Sequence, residues 1–182
     1  MRISINSRKV EKNYRSMSDI IFIHGLESSG EGYKGQLLRK ALPGCLTPNF
    51  TPYTPKIPII NLLKERMEQL IPILNDKEKW IVIGSSFGGL MGTLYTLKYP
   101  LKVSKLILLA PYLSNQELDP KKYTPVDVPV IVFHGNQDNI VPINLSRARA
   151  EKLFTNLVYN IVDDDHSLQK TVQALEWKKI IC

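Results

Sequence analysis

Short apolar runs closed by glycine or polar residues alternate along this chain with stretches whose apolar positions recur every three to four residues. Ile20-Ile21-Phe22-Ile23 is the first such run, and it shows no polar alternation, as expected of a strand covered on both faces. A polar, Gly-rich loop follows at 25–32. Residues 33–42 read as a helix stopped by Pro43-Gly44, and 45–49 as a short, weak strand. Pro48, Pro52, Pro55 and Pro58 make the next segment a surface loop. Leu63, Met67, Leu70 and Leu74 stand at i, i+4, i+7 and i+11, the inward stripe of a helix whose end Pro72 bends. Residues 80–84 form a second apolar run. A helix over 87–99 follows, stopped by Pro100.

The second half continues the alternation. Strands are expected at 105–109, at 128–133 ending on His134-Gly135, and at 157–162. Residues 110–127 carry little pattern and read as a loop. Pro142 opens a helix to about 154. A last helix over 167–178 turns Leu168, Val172 and Leu175 inward. Strands alternating with helices predict an α/β fold: a reduced, mostly parallel sheet of about six strands with helices on both faces. The chain shows no internal repeat and no linker, so residues 19–182 are read as one domain.

Composition narrows the class of protein. Hydrophobic residues make up 43% and charged residues 23%, the balance of a soluble domain, and no apolar run approaches the roughly 20 residues of a membrane span. Two cysteines, Cys45 and Cys182, make no disulfide framework and are read as free thiols of a cytoplasmic protein. The net charge is +7. Residues 1–16 hold Arg2, Arg8, Lys9, Lys12 and Arg15 against Glu11, a net +4, so much of the basicity belongs to the N-terminal segment. That segment lacks the apolar core of a secretory signal, and Glu11 and its short length speak against a transit peptide. Residues 1–18 are read as a basic tail, with Met17 as an alternative start, or as an added edge strand through 2–6. Lys121-Lys122 and Lys178-Lys179 are isolated pairs without interleaved aromatics, so no nucleic-acid surface is expected, and no membrane contact either. Oligomeric state is not legible.

The chemistry centres on Gly84-Ser85-Ser86-Phe87-Gly88. It joins an apolar run to a helix, and so predicts a strand, a sharp turn and a helix with Ser86 at the tip. Tight reversal strains the central backbone and leaves no room for side chains two positions away, which glycine at 84 and 88 provides. Ser86 Oγ then projects over the carboxyl edge of the sheet at the positive end of a helix. A serine hydroxyl needs an adjacent base. Of three histidines, His24 and His134 each precede a glycine at a strand end, where they shape a turn. His166 alone lies in a polar loop after the last strand, and it is the candidate base. Asp138, between a strand and a helix, is the candidate acid that orients it, with a helix-capping or turn-forming role as the alternative. Asp119 stands next in line. Asp163, Asp164 and Asp165 with His166 match no calcium loop or zinc spacing, so neither metal nor organic cofactor is expected.

The order Ser86, Asp138, His166 completes a set with His24-Gly25 after the first strand, Gly84-x-Ser86-x-Gly88-Gly89, and Gly135-x-x-Asp138-x-x-Val141-Pro142. On these motifs, residues 19–178 resemble the α/β-hydrolase-fold serine hydrolases, of the small type without a cap domain. The resemblance implies backbone N–H groups of Leu26 and Phe87 as an oxyanion hole, and hydrolysis of small carboxylic esters or thioesters through an acyl-enzyme on Ser86. Two departures accompany it. The usual first two antiparallel strands are missing, unless 2–6 supplies one, and the segment where larger members insert a helical cap is only 110–127. Tyr112 and Leu113, after a strand end, are the candidate substrate wall, with packing of the loop onto the core as the equal alternative. A hydrolase-fold binding module with little or no turnover is the alternative reading of the whole.

Overall fold

Successive residues of each strand face opposite sides of one sheet, and each side has its own helices. In the computed structural model, which describes residues 19–182, five parallel strands stand in the order β1 (Ile20–Ile23), β2 (Trp80–Ser85), β3 (Val103–Leu109), β4 (Val130–Gly135) and β5 (Leu157–Val162). Ile21, Ile23, Val82, Leu106, Leu108, Val130 and Val132 point into one core. There they meet α2 (Ile59–Asn75), α3 (Phe87–Lys98) and α4 (Ile143–Leu153). Ile20, Phe22, Ile83, Ile107, Leu109 and Phe133 point into the other, against α1 (Tyr33–Ala41), α5 (Gln169–Ala174) and α6 (Trp177–Ile181). Burial on both faces explains the unbroken apolar runs. α3 is buried over almost its whole circumference, which is why Gly88-Gly89-Leu90-Met91-Gly92 shows no polar stripe.

The expected strand at 45–49 reduces to one residue. Leu46 donates its N–H to Ile20 O and accepts from Phe22 N–H, each at 2.8 Å, on the outer edge of β1. The ladder goes no further; Pro48, which has no N–H, follows two residues on. Among the described residues the sheet therefore has five strands, with Leu46 bridged to the outer edge of β1. The expected single helix over 167–178 is two short ones. Leu168 adopts a left-handed backbone (φ 52°) before α5, and the chain leaves helical geometry at Leu175-Glu176. The break lets Trp177 turn inward and donate its indole N–H to Val172 O. Among the described residues, the segment between β3 and β4 holds only a 3₁₀ turn, Pro120–Lys122, and no α-helix. The readings of 1–18 lie outside the described residues.

One topological feature places the site. From β1 the chain goes outward to Leu46 on one side, then returns through α2 to lay β2 on the other. Connections leaving a strand in opposite directions open a crevice at the carboxyl edge. The loop after β1 and the turn after β2 face each other across it.

Candidate active site

At the end of β2 the backbone reverses into α3 through Ser86, with φ 51° and ψ −113°. An L-residue in this region costs about 1–3 kcal/mol and persists only where its surroundings over-determine it. Here they do: Ser86 N–H donates to Leu109 O at 2.9 Å, and Ser86 O accepts from the N–H groups of Gly89, Leu90 and Tyr112. The flanking glycines are required by close approach. A Cβ on Gly84 would stand 2.6 Å from Gly88 O, and one on Gly88 only 2.1 Å from Ile23 O of β1.

Around this turn the structure brings together three residues separated by up to 80 positions. His166 Nε2 lies 3.1 Å from Ser86 Oγ, and His166 Nδ1 lies 2.7 Å from Asp138 Oδ2. With Nδ1–H donating to the carboxylate, Nε2 is left to accept the serine proton. Asp138 Oδ1 accepts from Ile140 N–H and Val141 N–H, each at 2.9 Å. Burial opposes the charge on Asp138, but the Val141 N–H, His166 and the Ile140 N–H outweigh it and hold the carboxyl below its ordinary range. Gly135 lets the His166 loop close: a Cβ there would meet Asp164 O at 2.2 Å.

His134, expected only to shape a turn, and Arg66, outside the expected set, prove to be built into the site. His134 is fully buried, and its Nε2–H donates to the same Asp138 Oδ2 at 3.0 Å, while Nδ1 accepts from Tyr159 Oη–H at 2.7 Å. Burial pushes the Tyr159 phenol up to about 12, so it stays a donor. The four-residue spacing from His134 to Asp138 around one strand end was the available signal. Arg66, on α2, is also fully buried. It donates from Nε to Thr51 O at 2.8 Å, from one terminal nitrogen to Gly25 O at 3.2 Å, and from the other to Leu26 O at 2.8 Å. Its guanidinium carbon stands 5.4 Å from the Phe87 ring centroid. His24 adds Nδ1–H to Gly25 O at 2.8 Å and accepts Phe50 N–H on Nε2. The loop after β1 is thus held from below. Among the described residues, neither Leu26 N–H nor Phe87 N–H is spent on a backbone carbonyl.

A cavity of about 680 Å³ opens over Ser86, with Leu26, Ile59, Phe87, Tyr112, Ile140 and Val141 as its apolar wall. Tyr112 lies on that wall. Leu113 does not: it is fully buried in the core beside α3 and lies outside the cavity lining. The residue after Tyr112 points the other way, and Tyr112 itself is fixed by its N–H on Ser86 O. Among the described residues no cluster of three or more His, Cys, Asp or Glu is arranged to hold a metal ion, and no helix is long and apolar enough to cross a membrane.

The buried imidazoles carry a stability prediction. Burial lowers the pKa of His134, overriding the attraction of Asp138, and lowers that of His24, overriding the Gly25 carbonyl. Unfolded, both take a proton near pH 6.5; folded, they resist it. The unfolded chain therefore binds more protons below that pH, and stability falls as pH drops through it. Asp138, Asp164 and Asp165, held low, add their loss only below about pH 4. The melting temperature is expected to be flat from pH 8 to 7 and to fall from 6.5 to 5. His134→Gln should show a shallower slope over that interval; an unchanged slope would remove His134 from the account.

Residues 56–176 match the family model described as phospholipase/carboxylesterase. The chain is 28% identical over 134 residues to abhydrolase domain-containing protein abhd-5.2 of Caenorhabditis elegans, a match covering 65% of this chain and 29% of that protein; it spans less than a third of that relative's length. Among solved structures, a protein of the α/β hydrolase superfamily from Xanthomonas campestris pv. campestris superposes with a TM-score of 0.76 at 22% identity, covering 91% of this chain and 98% of that one. α/β hydrolase domain-containing protein 10 from mouse does so with 0.69 at 17%, covering 88% and 87%. Est1E from Butyrivibrio proteoclasticus, with ferulic acid bound, gives 0.68 at 17%, again covering 88% and 87%. At such identities the likeness to structures speaks for the α/β-hydrolase fold, and the family match for the lineage: the chain belongs to the phospholipase/carboxylesterase family of α/β-hydrolases.

Proposed function

We propose that this protein is a serine hydrolase of small carboxylic esters or thioesters, acting through an acyl-enzyme on Ser86. The observation that carries the reading is the continuous line Ser86 Oγ, His166, Asp138, set beside two unspent N–H groups on the floor of one cavity. Ser86 Oγ attacks the carbonyl carbon as His166 Nε2 takes its proton. The tetrahedral oxyanion accepts from Leu26 N–H and Phe87 N–H, each donor contributing about 10²- to 10³-fold in rate. The imidazolium, steadied by Asp138, gives its proton to the leaving oxygen or sulfur, and the C–O or C–S bond breaks. Water then repeats the sequence: His166 takes its proton, hydroxide adds to the acyl carbon, and Ser86 Oγ leaves with the proton.

The test is labelling by a fluorophosphonate together with release of nitrophenol from 4-nitrophenyl butyrate. Labelling at Ser86 with turnover supports the reading; a protein that binds esters without labelling or turnover refutes it. The length of acyl chain accepted follows from the missing cap. With no α-helix between β3 and β4 among the described residues, a chain beyond about eight carbons finds little further wall, and each CH₂ that stays wet forgoes about 0.8 kcal/mol. In a series of 4-nitrophenyl esters, kcat/KM is expected to peak between two and eight carbons. A steady rise to sixteen would mean a wall that this fold does not supply.

A further inference from the structure

Besides its apolar wall, the cavity lining carries polar groups, and one of them is out of place electrostatically. Lys34 is, among the described residues, the one lysine or arginine that lines it. It is partly buried, which raises the cost of its charge. It also stands in the first turn of α1, where the helix dipole disfavours a cation. Ordinary design would answer with a carboxylate on the ammonium, yet among the described residues Nζ has no hydrogen bond or ion pair. The nearby acids are Asp164 and Asp165 of the His166 loop, whose negative charge helps keep the lysine protonated. Asp164 accepts on both oxygens, from Asp165 N–H, Thr171 N–H and Thr171 Oγ1–H, and Asp165 Oδ1 accepts from Ser167 N–H and Ser167 Oγ–H. Glu27, the other charged side chain on the lining, is exposed. A lysine with no ammonium partner among the described residues therefore lines the space in which an ester would lie.

We propose that Lys34, with the Ser28 hydroxyl on the same cavity lining, is an anion subsite, and that the ester turned over carries a carboxylate or phosphate on its alcohol half. The inference rests on the serine-hydrolase reading above. The alcohol half is chosen because His166 hands its proton to the leaving oxygen. That half therefore lies against the loop that contains His166, Ser167 and the two aspartates to which Lys34 is electrostatically coupled. The acyl half is left to the apolar wall.

The test compares 3-butyryloxy-4-nitrobenzoate with its neutral methyl ester, each releasing a nitrophenol on cleavage of the butyrate. A charge-assisted hydrogen bond corresponds to about tenfold or more in affinity. The ratio of the two kcat/KM values is expected to favour the anion by at least that factor, and to collapse in Lys34→Met and Lys34→Gln. Lys34→Arg should restore part of it. A ratio equal in wild type and both variants overturns the proposal, as does a charge preference that appears instead with mono-4-nitrophenyl glutarate, whose anion is on the acyl half. Glycerol 3-phosphate and benzoate as competitive inhibitors separate phosphate from carboxylate. If no ester is turned over, the hydrolase reading fails by itself. Binding of 3-hydroxy-4-nitrobenzoate to the Ser86→Ala protein then still decides the subsite, since binding that Lys34→Met does not weaken would sink it.

Discussion

Ser86→Ala is expected to lower kcat/KM on 4-nitrophenyl butyrate by about 10⁴-fold or more, with the melting temperature kept within a few degrees of wild type. The two halves of the expectation have separate causes. Activity goes because nothing else at the turn can attack: Ser86 Oγ is the atom facing His166 Nε2. Stability stays because alanine keeps the Cβ that the strained backbone already tolerates, and the three N–H groups on Ser86 O and the bond to Leu109 O are backbone interactions. His166→Ala should cost about as much as Ser86→Ala, and the double variant no more than either, since serine and base act as one unit. Ser85 is the control. It lines the cavity but is buried at the end of β2. If Ser85→Ala lost the activity while Ser86→Ala kept it, the turn would have been assigned to the wrong serine.

The elements that could be read from the chain are those whose signal is local. The 157–162 run matches β5 residue for residue, and the Ser86 turn announces itself through two glycines whose necessity is steric. The strand expected at 128–133 begins two residues later, because Pro129 has no N–H to enter the ladder; its carbonyl accepts Leu106 N–H instead. What escaped reading depends on partners distant in sequence. Leu63, Leu70 and Leu74 mark the buried stripe of α2 correctly, but Arg66 lies inside it too, because the carbonyls that receive its donors come from Gly25, Leu26 and Thr51. Periodicity assigns an arginine to the wet face by default. His134 escaped for the same reason, since its second partner, Tyr159, belongs to the neighbouring strand. The break at Leu175-Glu176 escaped because the inward positions 168, 172 and 175 fit one helix as well as they fit a turn and a short helix.

Arg66→Met is expected to damage both stability and turnover, and the second effect is the informative one. Methionine fills much of the same volume but supplies no donors. Gly25 O keeps its bond from His24, whereas Leu26 O and Thr51 O lose theirs inside the protein. Each unsatisfied buried carbonyl costs about 1–3 kcal/mol. A total near 3 kcal/mol, at about 2–4 °C per kcal/mol for a domain this size, lowers the melting temperature by about 6–12 °C. In the loop after β1, Arg66 holds the Leu26 carbonyl, and the next anchor along the loop is Gly30, whose N–H donates to Asn49 Oδ1. In the hydrolase reading, the same residue's N–H is one of two oxyanion donors, and misplacing a preorganised donor costs about 10²-fold in kcat. KM for a small neutral ester should change far less, because the apolar wall is untouched. Arg66→Lys offers one point donor where a planar fork met several carbonyls, so it should recover some stability and little kcat. A variant that melts early yet keeps wild-type kcat at 25 °C would make Arg66 a support of the fold and nothing more. A variant that melts at the wild-type temperature would contradict the clamp itself.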